Sequence, residues 1–208
     1  MANPRIIAGT RKGMRLNAVP GDSTRPVTDR VKEAVFNILG ADIVDASMFD
    51  LFGGTGSVGL EALSRGASYV RFSDANRNAY NTLVSNIKLT RFEKQAKAYF
   101  GDVFNILRGI PDREFEYIYV APPQYKEMWK RIMQVLDRND GWLTDDGWII
   151  VQIHPIERED LELESFELFD ERKYGSTTLL FYCRKGLAAE EDSETDEAEP
   201  AEAEEKEA

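Results

Sequence analysis

The chain has 208 residues, 42% of them hydrophobic, which suits one folded body with an appendage. A single cysteine, Cys183, and a single histidine, His154, exclude an intramolecular disulfide and a multi-histidine or multi-thiolate metal site. No apolar run reaches the ~18 residues that a bilayer span needs, and the start, Met-Ala-Asn-Pro-Arg-Ile-Ile, lacks the apolar core of a secretory signal. A cytoplasmic, metal-free, monomeric protein is the expectation. The net charge of -11 is unevenly spread. Residues 190–208 hold eleven acids and one base, Lys206, whereas the remainder holds 26 acids and 25 bases. Residues 188–208, rich in Glu and Ala and without aromatics, read as a disordered acidic tail. The low isoelectric point belongs to that tail and is no argument against nucleic-acid binding by the body.

Residues 1–40 form a basic N-terminal segment, with seven bases against three acids. Arg5–Ala8 and Met14–Ala18 are short extended pieces that can pair as a hairpin. Thr28 is a plausible N-cap for a helix to Leu39, with Val31, Val35, Ile38 and Leu39 as its apolar stripe. Residues 41–187 then alternate strand and helix. Strands are expected at Met48–Phe52, Ser68–Ser73, Ala96–Phe100, Tyr117–Val120 and Trp148–Ile153. Helices are expected at Ser57–Arg65, Arg77–Leu89, Val103–Arg108 and Met128–Leu136. Two further strands, Ser165–Asp170 and Thr177–Cys183, flank a connector at Lys173–Ser176. The pattern predicts an α/β fold, a mostly parallel sheet with helices on both faces and a closing antiparallel hairpin.

The segment Asp50-Leu-Phe-Gly-Gly-Thr-Gly-Ser-Val-Gly59 lies where the first strand turns into the next helix. Its glycines let the backbone turn tightly and let a ligand approach it closely. The helix N-terminus behind them offers unpaired N–H groups. Asp74 follows Gly54 by twenty positions, a spacing suited to ribose hydroxyls. A dinucleotide and S-adenosylmethionine both fit this geometry, and such a turn can also bind nothing. Asp50 favours S-adenosylmethionine, because an acid beside the glycines repels a pyrophosphate and suits an ammonium group. Asp102, after the third strand, is a candidate acceptor for the exocyclic amine of adenine.

The fourth strand ends in Ala121-Pro122-Pro123-Gln124-Tyr125. The two prolines stop the ladder and stiffen the exit. With this turn, four other stretches carry a resemblance. They are Arg5-Ile-Ile-Ala-Gly9, the run from Arg25-Pro-Val-Thr-Asp-Arg-Val to Leu39, Asp50–Gly59 continued by Leu60-Glu-Ala-Leu-Ser-Arg-Gly-Ala67, and Tyr174-Gly-Ser-Thr177. Over about residues 4–184 the chain resembles the RsmD family, bacterial methyltransferases of the guanine N2 position in small-subunit ribosomal RNA. The resemblance implies a Rossmann-like class I methyltransferase fold, seven strands with a small N-terminal β-hairpin. It implies S-adenosyl-L-methionine as cofactor, and ribosomal RNA or the small ribosomal subunit as partner. Carried over, Asp50 and the backbone of Gly54 and Gly56 hold the methionine part, Asp74 the ribose and Asp102 the adenine. Phe52, Ala75 and Val103 complete the cofactor-binding set.

The catalytic set is Ala121, Pro122, Pro123, Gln124 and Tyr125, and here the sequence departs from the family. The family pattern is Asp or Asn, then Pro-Pro, then Tyr or Phe. Its acid or amide accepts a hydrogen bond from the target amine, and its aromatic stacks on the base. Ala121 has no polar side chain to accept that bond, and Gln124 cannot stack as an aromatic ring does. Three readings stay open: a working variant in which Gln124 or Tyr125 substitutes, a catalytically silent RNA-binding relative, and a methyltransferase of a different substrate. Arg5, Arg11, Lys12, Arg15, Arg25 and Arg30 are the candidate phosphate contacts. Tyr125 and Trp129 are candidates to stack on a base, Trp129 more readily as packing. His154 reads as a satisfied strand-end histidine.

Overall fold

The computed structural model describes residues 4–21, 27–123 and 127–187. Thr28 caps the first helix, α1 (Asp29–Leu39), by accepting the Val31 N–H at 3.3 Å. The chain then runs β1 (Ser47–Asp50), α2 (Ser57–Arg65), β2 (Tyr69–Asp74), α3 (Arg77–Thr90), β3 (Ala96–Phe100), α4 (Val103–Leu107) and β4 (Phe115–Val120). It closes with α5 (Met128–Arg138), β5 (Leu143–Ile153), β6 (Phe166–Tyr174) and β7 (Thr177–Arg184). One seven-stranded sheet has the order β3-β2-β1-β4-β5-β7-β6. Strands β1 to β5 are parallel, and β7 lies antiparallel between β5 and β6. The order reverses between β1 and β4, the place where sheets of this kind bind ligands beyond their strand tips.

Alternation divides the strand side chains between two cores. Met48, Val70, Phe72, Tyr119, Ile150 and Phe181 face α1, α2 and α3. Phe49, Leu51, Ile118, Val120, Ile149 and Val151 face α4 and α5. No helix among the described residues is long and apolar enough to cross a membrane.

Two strand limits differ by four residues or more from the sequence-based expectation. β5 begins at Leu143, not Trp148, because Leu143 pairs with Phe115 before a register shift. β6 runs on to Tyr174, so Lys173 pairs with Thr178 and only Gly175-Ser176 forms the turn. An edge strand exposes much of its surface, which is why Asp170-Glu-Arg-Lys173 can sit in it.

The N-terminal hairpin is also slighter than expected. A single bridge, Arg5 to Arg15, joins its arms, supported by Ile6 N–H to the Met14 carbonyl at 2.9 Å and Leu16 N–H to the Pro4 carbonyl at 2.7 Å. Its anchor is α2 instead. Buried Glu61 accepts the N–H groups of Ile7 at 2.7 Å and Ala8 at 2.9 Å. Ser64 accepts the Arg11 N–H at 2.9 Å and donates to the Ala8 carbonyl at 2.6 Å. Lys32, buried on α1, donates to the Arg5 carbonyl and lies 3.6 Å from Glu61. Ile6 and Leu16 are thereby held in the first core.

Gly9 permits this docking. Its φ is +76°, and a Cβ there would fall 1.7 Å from the Ser64 carbonyl oxygen. Gly9→Ala is expected to cost about 3 kcal/mol through the unfavourable backbone and the clash. Faster proteolysis of the first twenty residues, at a melting temperature lowered by roughly 10 °C, is the measurable outcome. An unchanged cleavage rate would show that the arm accommodates the methyl group.

Candidate active site at the strand tips

At the tip of β1 the chain turns through Leu51–Gly56 into α2. Two glycines of the turn and helix serve packing. A Cβ on Gly56 would meet Leu83 at 2.7 Å, and one on Gly59 would meet the Phe72 ring at 2.3 Å. Gly54 is different. Its φ is +55°, and a Cβ there would meet nothing closer than the Phe52 carbonyl at 3.9 Å. The turn therefore presents bare backbone to open space at Gly54, a cradle for a ligand.

Three carboxylates stand at the tips of three adjacent strands. Asp50 ends β1 and is 2% exposed. Its Oδ1 has no hydrogen-bond partner among the described residues. Burial pushes its carboxyl up to about 7, and the charge of Asp74 adds to this, while the N–H groups of Gly59 and Phe52 oppose it. Asp74 ends β2, half-buried, and fixes the turn: its Oδ2 accepts the Gly54 N–H at 2.9 Å and its Oδ1 the Asn76 N–H at 2.8 Å. Each oxygen keeps a further lone pair for a donor. Asp102 is exposed just beyond β3 and caps α4 through the Phe104 N–H at 3.0 Å. The Gly101 N–H bonds the Asp74 carbonyl at 3.1 Å, tying the second and third tips together. Phe52 is half-buried, Ala75 exposed and Val103 buried.

The β4 tip lies beside β1, where the Leu51 N–H bonds the Tyr119 carbonyl at 3.0 Å. Ala121 and Pro122 are half-buried and Pro123 is exposed. Gln124 and Tyr125 lie outside the described residues. Trp129 is fully buried in the second core, so it packs and presents no face to a base. His154 joins Glu157 in a capping box around the turn after β5. Sequence reasoning missed Tyr119 and Gln152, whose side chains are hydrogen-bonded to each other across β4 and β5. No pattern within either strand signals this pair, which depends on the register of β4 against β5.

The candidate phosphate contacts divide. Arg5 is exposed and paired with Asp29 at 2.7 Å. Arg11 is half-buried, bonded to the Thr90 carbonyl at 2.8 Å and set 5.3 Å over the Phe92 ring. Its guanidinium thus fastens the arm to the end of α3. Lys12, Arg15 and Arg30 are exposed, and Arg25 lies outside the described residues. Lys32, in the first turn of α1, meets Glu61 in the middle of α2, and Phe36, one turn further along α1, lies under Arg65 at the end of α2, so the two helices run in the same direction, starting from the strand tips. Arg30 is accordingly at the strand-tip end of α1. Among the described residues no group of His, Cys, Asp and Glu side chains could hold a metal ion.

The family model described as conserved hypothetical protein 95 matches residues 4–183. The chain is 37% identical over 186 residues to "Putative rRNA methyltransferase YlbH" of Bacillus subtilis, covering 88% of this chain and 100% of that relative. It is 33% identical over 150 residues to ribosomal RNA small subunit methyltransferase D of Escherichia coli, covering 71% and 73%. Among solved structures it is similar to "Putative methyltransferase yhhF" from Escherichia coli, with a TM-score of 0.78 at 30% identity and coverage of 88% and 98%. With its seven-stranded sheet and the glycine turn at the strand tips, the chain belongs to the RsmD family, that of ribosomal RNA small subunit methyltransferase D.

Proposed function

We propose that the protein is an S-adenosylmethionine-dependent methyltransferase of small-subunit ribosomal RNA, with the exocyclic N2 of a guanine as the methylated atom. The observation that carries the cofactor assignment is the buried Asp50 oxygen, without a partner among the described residues, at the strand tip that leads into the open Gly54 turn. A buried anion there repels a pyrophosphate and favours an ammonium group. Asp50 with the Gly54 and Gly56 backbone holds the amino-acid end, Asp74 accepts from the ribose hydroxyls, and Asp102 receives the adenine amine. Phe52, Ala75 and Val103 flank these contacts. The cofactor supplies an electrophilic methyl group on a sulfonium. Pro122 and Pro123 hold the β4 exit rigid, so the Ala121 and Pro122 carbonyls keep fixed positions beside it. The names of the relatives support ribosomal RNA as substrate.

The 2-amino group of a paired guanine is poorly accessible, so the target base must be unpaired or turned out of its helix. Arg5, Lys12, Arg15, Arg25 and Arg30 are the proposed phosphate contacts, with Arg11 acting through the arm it fastens. Transfer of a labelled methyl group to deproteinised ribosomal RNA or to small subunits is the test. Failure on both, with cofactor binding demonstrated, would defeat the reading. Ala121, which lacks a polar side chain, favours a second reading, an RNA-binding relative without turnover. That reading predicts RNA affinity that falls steeply with salt and no transfer.

A further inference from the structure

Among the described residues of the β4 tip, Ala121 to Pro123, none has a side-chain acceptor, and the adjacent strand places one beside them. Val120, the last residue of β4, is paired with Val151 in parallel register, so Ala121, just past β4, and Gln152 on β5 come next along the two segments. Alternation sets Tyr119, Ala121, Ile150 and Gln152 on one face of the sheet, the face that Asp50 shares with Met48. Ile150, Val151 and Ile153 are buried, whereas Gln152 is partly exposed at the rim. From below, the buried Tyr119 hydroxyl donates to the Gln152 amide oxygen. Burial and the nearby Asp50 push the ionisation of that phenol far up, so it remains a donor. An amide oxygen has two acceptor lone pairs. Tyr119 uses one, and the second is left for an N–H at the rim.

We propose that Gln152 is the group that accepts the hydrogen bond of the target amine, with Tyr119 as its positioning residue. The assignment rests on the methyltransferase reading above. In the transfer the amine lone pair forms the N–C bond, the C–S bond breaks with its electron pair left on sulfur, and the nitrogen releases one proton to water. Gln152 takes no proton. Its oxygen orients the lone pair and stabilises the positive charge that develops on nitrogen.

Single-turnover transfer to small subunits tests this, read together with S-adenosylhomocysteine affinity and melting temperature. Gln152→Leu is expected to lower the rate about 10²-fold, the scale of one lost transition-state hydrogen bond, while cofactor-product affinity stays at the parent value. Adding Ala121→Asn to Gln152→Leu is expected to recover at least 10-fold of that loss, because it returns an acceptor to the facing strand. An undiminished rate for Gln152→Leu, or no recovery in the double variant, overturns the assignment. Should Gln152→Leu not fold, Gln152→Glu decides. Its charged carboxylate accepts more strongly than the neutral amide, so its rate must fall as that charge is lost at low pH, and a rate that follows the parent's pH profile overturns the assignment. No transfer by the unaltered protein, with S-adenosylhomocysteine still bound, overturns the methyltransferase reading itself and this assignment with it. Loss confined to the Gln152 variants does not touch that reading.

Discussion

Glu61→Ala is expected to lower stability by about 3–5 kcal/mol, the cost of breaking a buried ion pair from one side. Glu61 is fully buried and serves four donors: the Ile7 and Ala8 N–H groups, Arg65 Nε at 2.9 Å and Lys32 Nζ at 3.6 Å. Alanine orphans two backbone donors and strands the Lys32 ammonium where burial already pushes its pKa below the usual lysine range. The melting temperature should fall by roughly 10 °C or more, and the first twenty residues should become the preferred site of proteolysis. Glu61→Gln keeps an acceptor and loses the charge, so a smaller drop is expected of it. A loss under about 1 kcal/mol for Glu61→Ala, the range of an exposed pair, would show that the network does not hold the arm.

Asp50→Asn is expected to move stability and binding in opposite directions. The folded protein holds the Asp50 proton up to about pH 7, whereas an ordinary aspartate in water loses it near 3.8. A pKa raised by folding adds stability that is full below about pH 4 and is lost as pH rises through about 7. At pH 8 the carboxylate is charged and buried, and asparagine relieves that cost. Without cofactor the variant should therefore melt higher than the parent at pH 8, and the difference should shrink toward pH 5. Binding of S-adenosylhomocysteine, which keeps the ammonium end, should weaken about 10²-fold, as for loss of one partner of a buried charge pair. For the parent, affinity should rise with pH through about 7 as the carboxylate forms. Calorimetric affinity within threefold of the parent would remove Asp50 from the cofactor site.

The parts of the fold legible in the sequence are those with short-range signatures. Thr28 announces α1, and the glycines between a buried strand and a helix announce the turn. Asp74 is found by its distance from them. The illegible parts are polar residues buried by distant partners. Arg71 sits inside the buried strand β2, paired twice with Asp112 at 2.7 and 3.0 Å and surrounded by the rings of Phe49, Tyr99, Phe115 and Trp142. Nothing local in Tyr-Val-Arg-Phe foretells an aspartate forty-one positions away. Glu61 reads as the solvated face of an amphipathic helix until the arm is seen to cover it. The candidate site divides in the same way. The carboxylates at the tips of β1, β2 and β3 follow from strand-end positions. Gln152 matters only through its register with Ala121, which no pattern within either strand encodes.

The reversed direction of β7 has a consequence for long-range charge. β7 runs away from the strand tips, and its last residue, Arg184, is bound to Asp140 and to the Leu143 carbonyl at the start of β5. Leu187, the last of the described residues, therefore lies on the side of the sheet remote from the glycine turn. Eight residues of strand, at roughly 3.3 Å each, set that point about 25 Å from the tips. This is about three screening lengths in physiological salt. A charge at that point lies outside the field that an approaching RNA phosphate would feel at the tips. An isoelectric point taken over the whole chain describes how the molecule migrates in a gel and says little about the potential at its reactive end.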